Sequence, residues 1–230
     1  MTANGATSHE RPSHTRTQHA IRLLVLLDRT GEAVLHGDPD AAVKAVRSEL
    51  RLQAMDFWMR NPDYLADELI TQFEVGDLEH SYVETARGLL DDPEPDLHWY
   101  PMPRWFYGAY EAIDDAVALL ETYGLAIFRR TGVPGAKSQG NQLFLTGKGA
   151  EAVAELGKDE VLSWYLRQAD LVALVAKDTV GSKLKDRQYE QSTYAGTELG
   201  LIIAPIADQV RHRLDGLGVL AVSGATGDGA

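Results

Sequence analysis

The stretch from Trp105 to Leu156 constrains the fold most, because it changes hydrophobic period twice without a gap. Phe106, Tyr110, Ile113, Val117 and Leu120 are spaced by four, three, four and three residues, one face of an amphipathic helix over 105–123. Gly124, directly after that run, suits the left-handed backbone that ends a helix. Leu125 to Arg130, with Leu125 and Ile127 on one face, reads as a short strand. Thr131 to Gly140 contains three glycines and a proline and must turn, so Asn141 to Thr146 pairs back as a second strand. Thr146 is placed to cap a closing helix that ends at Leu156, although Gly147 and Gly149 weaken its first turn. The fold expected is mainly α with a small β-hairpin.

The segments LLETYGLAIFRR and NQLFLTGKGAEAV, taken together, resemble the end of the second core helix, the wing and the start of the next helix in PadR-like and MarR-like regulators. The resemblance implies a winged helix-turn-helix core over residues 97–157, flanked by N- and C-terminal helices.

The flanks divide as follows. Residues 1–18 are polar, lack apolar periodicity and read as a disordered arm. In a helical region over 19–92, His19 to Arg29 packs Ile21 and Leu23 to Leu27 almost continuously, and its length favours a buried helix. Asp40 is expected to cap a second helix running through Val43, Val46 and Leu50 to Phe57. Asn61-Pro62 ends it and opens a third, since proline is tolerated in a first turn; Leu78 to Leu90 forms a fourth. Asp91 to Asp96, acidic and punctuated by two prolines, reads as a solvated linker, and the aromatic run His98 to Tyr107 as a plug in the seam between subdomains. Over 158–217 one helix starts at Asp159 and reaches Val175. A second spans Thr197 to Leu217, and its stripe residues Leu199, Ile203, Ile206 and Val210 form the candidate partner or dimer interface. Residues 218–230 read as a disordered tail.

The chain has no cysteine, which removes disulfide scaffolds, thiolate zinc sites and thiol catalysis together. Histidines 9, 14 and 19 match no metal-ligand spacing. Gly140 to Lys148 and Gly132 to Ser138 both miss the spacing of a phosphate loop, and the nucleophile-elbow, HExxH and dinucleotide glycine signatures are absent. The expectation is a protein without catalytic residues, cofactor or metal. No apolar run is long enough to span a bilayer and the N-terminus is polar, so a cytoplasmic, soluble chain without a membrane partner is expected.

A net charge of −12 opposes nucleic-acid binding unless cations are gathered locally. Arg104, Arg129, Arg130, Lys137 and Lys148, in or beside the wing, are the candidate phosphate contacts. Two readings follow. RLQAMDFWMRNPDYLADEL and FYGAYEAIDDAVALLETYGLAIFRRT, in that order, are similar to the middle components of bacterial ABC-three-component systems. That implies a non-catalytic winged-helix adaptor accompanying an SMC-like ATPase in anti-phage defence, with a protein or a second copy of the chain as its partner. The alternative is a regulator of the PadR or MarR kind that binds double-stranded DNA.

Overall fold

A computed structural model describes residues 14–91, 102–106, 108–130, 140–177 and 179–225. The central element is α1 (His14–Thr30), whose Leu23, Val25, Leu26 and Leu27 are fully buried. Burial on all sides needs neighbours on all sides, and α1 packs against α2 (Glu49–Arg60), α5 (Asp114–Thr122), α6 (Gly147–Leu156) and α7 (Ser163–Ala176). The helix begins at His14, so the last residues of the expected arm are helical; residues 1–13 lie outside the described set.

The hairpin forms as its alternating pattern requires. β5 (Ala126–Arg129) pairs antiparallel with β6 (Gln142–Thr146), Ala126 opposite Leu145 and Arg129 opposite Gln142. Gly124 has φ +68° after the last turn of α5. Thr146 caps α6, its hydroxyl accepting from Gly149 N at 3.0 Å. Gly149 is required here for space, since a Cβ would overlap the Leu125 carbonyl oxygen and stand 2.7 Å from a Leu145 methyl.

The sheet is larger than the hairpin. β1 (Glu32–Ala33) and β2 (Ala42–Val46) extend it in the order β1-β2-β6-β5, with Ala45 opposite Phe144 and Val46 opposite Leu143. The helix expected to start at Asp40 is therefore a strand through Val46. β-branched Val43 and Val46 suit a pleated surface, and β6 supplies a ladder partner nearly a hundred residues away. The helix begins only after Ser48, whose hydroxyl accepts from Arg51 N at 3.2 Å.

α3 (Pro62–Glu74) follows with its proline in the first turn, then α4 (Ser81–Leu89). The helix expected from Trp105 starts only at Asp114, because Arg104–Trp105 (β3) and Gly108–Ala109 (β4) make a second, two-stranded sheet. Gly108 has φ +108°, and a Cβ there would come within 2.9 Å of the Tyr194 hydroxyl. That hydroxyl receives the Ala109 N–H at 2.6 Å. A third segment joins this sheet, Arg104 N donating to Leu201 O at 2.9 Å and Ile203 N to Met102 O at 3.1 Å.

The C-terminal half contains α8 (Gly181–Glu190), α9 (Ser192–Gly196) and α10 (Ala207–Ala225). The helix expected from Thr197 starts ten residues later: Gly200 has φ +82° and Pro205 interrupts the run. α10 also runs past the expected end of the ordered chain, to Ala225. Buried side chains from α1 through α10 form one apolar cluster, so segments 19–92, 97–157 and 158–217 share a core. The linker proposed over 91–96 lies outside the described residues beyond Asp91.

Candidate functional site

The candidate phosphate contacts separate into different roles. Arg129 and Arg130 leave the end of β5, but Arg129 donates to Gly37 O at 3.1 Å and lies 5.1 Å from the Phe144 ring centre. Asp38 is nearby; Arg47 and the Leu35 N–H hold its carboxyl down to about 2, so it faces Arg129 as an anion. Arg130 is open, its side chain 78% exposed, with Asp114 3.8 Å away and the Phe128 ring centre 5.9 Å away. Lys148 donates to Tyr123 O at 2.8 Å and ties the start of α6 to the end of α5. Lys137 lies outside the described residues.

Arg104 belongs elsewhere. It donates to Ala195 O at 2.8 Å, to Thr197 O and to the Tyr189 hydroxyl at 3.3 Å, with its guanidinium 5.1 Å from the Tyr189 ring centre. It straps β3 onto α8 and α9, and the expectation that it lies beside the wing is corrected: Arg104 is on a different sheet.

Charge argues further against a groove-reading helix. The helix directly before the hairpin is α5. Its inward face is Ala116, Val117 and Leu120, and its outward residues include Asp114, Asp115 and Glu121. Carboxylates there would oppose phosphate approach.

The candidate interface stripe also divides. Ile203, Ile206 and Val210 are each 1% exposed, packed inside the chain, which corrects their assignment to a docking face. Asp63 pins this segment by accepting the Ile206 N–H at 2.6 Å, and Tyr64 donates to Ala204 O at 2.7 Å. Leu199 does face outward.

A different apolar surface is open. Leu199, Leu201 and Ile202 are 47%, 55% and 47% exposed, and Trp105 and Phe106 are 45% and 75% exposed. The backbone pairing of Arg104 with Leu201 and Gly200, and of Pro103 with Ile202, joins the two segments. Phe106, expected on the apolar face of a helix, is instead at the tip of the β3–β4 turn, and Trp105 is 45% exposed and does not plug a seam; His98 to Pro101 and Tyr107 lie outside the described residues. The available signals were Gly108, Gly200 and Pro205, each of which interrupts an otherwise helical apolar period.

Inside the fold, Asp56 is 1% exposed and receives Arg22 Nε at 3.1 Å, with Arg60 Nε at 3.8 Å and His19 Nε2 at 3.5 Å. Arg60 continues to Glu111. This group crosses α1, α2 and the loop before α5, and its position in the centre of the packing makes it an organiser of the core. Among the described residues no group of three or more His, Asp or Glu side chains could hold a metal ion, and no helix is long and apolar enough to cross a membrane.

Compared with protein-family models, curated proteins and solved structures, the chain matches none.

Proposed function

We propose that this chain is a non-catalytic accessory subunit that works by docking a protein partner. The observation that carries the reading is the exposed apolar surface of Trp105, Phe106, Leu199, Leu201 and Ile202. Exposed apolar side chains scattered singly are ordinary, whereas a group joined by backbone pairing and centred on aromatics has the make-up of an interface core. The direct succession of α5, the β5–β6 hairpin and α6 supports a winged-helix scaffold. The similarity to middle components of ABC-three-component systems supports an SMC-like ATPase as the partner. The acidic outer face of α5 and the internal engagement of Arg104 and Arg129 favour the adaptor over the DNA-binding regulator.

The test is purification of the full chain from its own host, alone and as Phe106→Asp. A stoichiometric protein partner is expected with the native chain and not with the variant. Recovery of the chain alone, together with a sequence-specific footprint on duplex DNA at about 150 mM salt, where nonspecific contacts are weak, would reverse the reading in favour of the regulator.

A further inference from the structure

A second apolar feature lies away from the Trp105 surface. α1, α5 and α6 enclose an open groove of about 210 Å³. Ile21 of α1, Leu119 of α5 and Leu156 of α6 line it with Tyr123 and Leu125, and the hydroxyls of Thr17 and Tyr123 are the polar side-chain groups of the lining. Tyr123 is 60% exposed, while Ile21, Leu119, Leu125 and Leu156 are half-buried. The volume is below the range of about 300–1,000 Å³ usual for small-molecule sites, and the lining offers almost nothing to orient a polar ligand. It suits a few apolar side chains projecting from one face of a helix.

The walls supply the charge argument. α5 carries Asp114, Asp115 and Glu121, with Arg130 3.8 Å from Asp114, and α6 carries Glu151 and Glu155 against Lys148, with Lys158 2.6 Å from Glu155; Asp115, Glu121 and Glu151 have no cation within ion-pair distance among the described residues. Arg16 on α1, beside Thr17, is exposed. With the chain at −12 overall, a second copy presenting the same acidic walls would be repelled, and a cationic partner would be drawn in.

We infer that the α1–α5–α6 groove is a docking site for a basic amphipathic helix of the partner protein, its apolar stripe in the groove and its Lys or Arg residues toward α5 and α6. The inference rests on the adaptor reading and adds to it a second contact surface with stated chemistry.

The experiment uses the full chain and a fluorescein-labelled Leu/Lys peptide of about fourteen residues, four helical turns, with a Leu/Glu peptide of the same pattern as control, followed by anisotropy. The Leu/Lys peptide is expected to bind and the Leu/Glu peptide not. Tyr123→Glu should weaken binding about tenfold or more, the loss of one interface anchor. Glu151→Lys/Glu155→Lys should weaken it by at least about threefold and flatten its salt dependence. All these residues are exposed, so an unchanged thermal midpoint separates lost binding from lost folding. Failure of the Leu/Lys peptide to bind, equal binding of the two peptides, or equal binding by the variants overturns the inference. So does concentration-dependent self-association abolished by Tyr123→Glu, which would assign the groove to a second copy. Phe106→Asp should leave peptide binding intact. Absence of a stoichiometric partner from the native chain, with peptide binding retained, would therefore fail the adaptor reading alone, and loss of peptide binding with the partner retained would fail the groove alone.

Discussion

Replacing Asp56 by Asn keeps side-chain volume and removes one charge from the centre of the core. Arg22 and Arg60 are 2% and 8% exposed, and the substitution takes from Arg22 the carboxylate 3.1 Å away and leaves Arg60 with the Glu111 carboxylate, whose side chain is 27% exposed. Removing one member of a buried ion pair costs about 3–5 kcal/mol, because the remaining charge has lost both water and its partner. That is a large part of the roughly 5–15 kcal/mol that holds a domain folded. At about 2–4 °C per kcal/mol for a chain of this size, the melting midpoint should fall by about 6–20 °C. Asp56→Leu/Arg22→Leu should recover part of the loss, since it removes charge from both sides. Acid should act through the same group. Burial opposes ionisation of Asp56, but Arg22 and Arg60 outweigh it and hold the carboxyl well below its ordinary value. A folded pKa below the unfolded value of about 3.9 means the contribution is complete above that pH and is lost as pH falls toward the folded value. The native chain should therefore lose stability more steeply below about pH 4 than Asp56→Asn does. Urea titrations at pH 7 and across the acid range read both effects. A loss under about 1 kcal/mol at pH 7, with parallel acid slopes, would refute the central role of this carboxylate.

Two further substitutions test the packing. Leu120→Ala, at a side chain 3% exposed, should cost about 2–5 kcal/mol, whereas Phe106→Ala, at one 75% exposed, should stay within about 0.5 kcal/mol; equal losses in urea would contradict the assigned start of α5. Gly181→Ala should lower stability by about 1–3 kcal/mol, because its Cβ would stand 2.5 Å from Arg51 N and 3.0 Å from Leu50 C and push α8 off α2. An unchanged thermal midpoint would mean that the two helices do not approach this closely.

The parts of the fold set by neighbours in sequence were legible before any tertiary structure. Gly124 ends α5, Thr146 caps α6 and Pro62 opens α3 because each acts on backbone groups within one helical turn of itself. Ile113, Val117 and Leu120 are buried as their period requires. What tertiary structure alone decided was pairing and facing. Val43 and Val46 satisfy a helical period as well as a strand, and only the partner β6, a hundred residues on, makes Ala42–Val46 a strand. The same ambiguity governs the candidate sites. Periodicity marks Ile203, Ile206 and Val210 as one apolar face, but whether that face meets the chain's own core or a partner depends on Met102 and Asp63 receiving its backbone N–H groups. Arg104 is a cation in any sequence reading, and it becomes a strap because the carbonyls of Ala195 and Thr197 are brought to it from across the fold. Hydrophobic period encodes that a side chain will be covered; the partner that covers it is chosen by contacts between segments far apart in the chain.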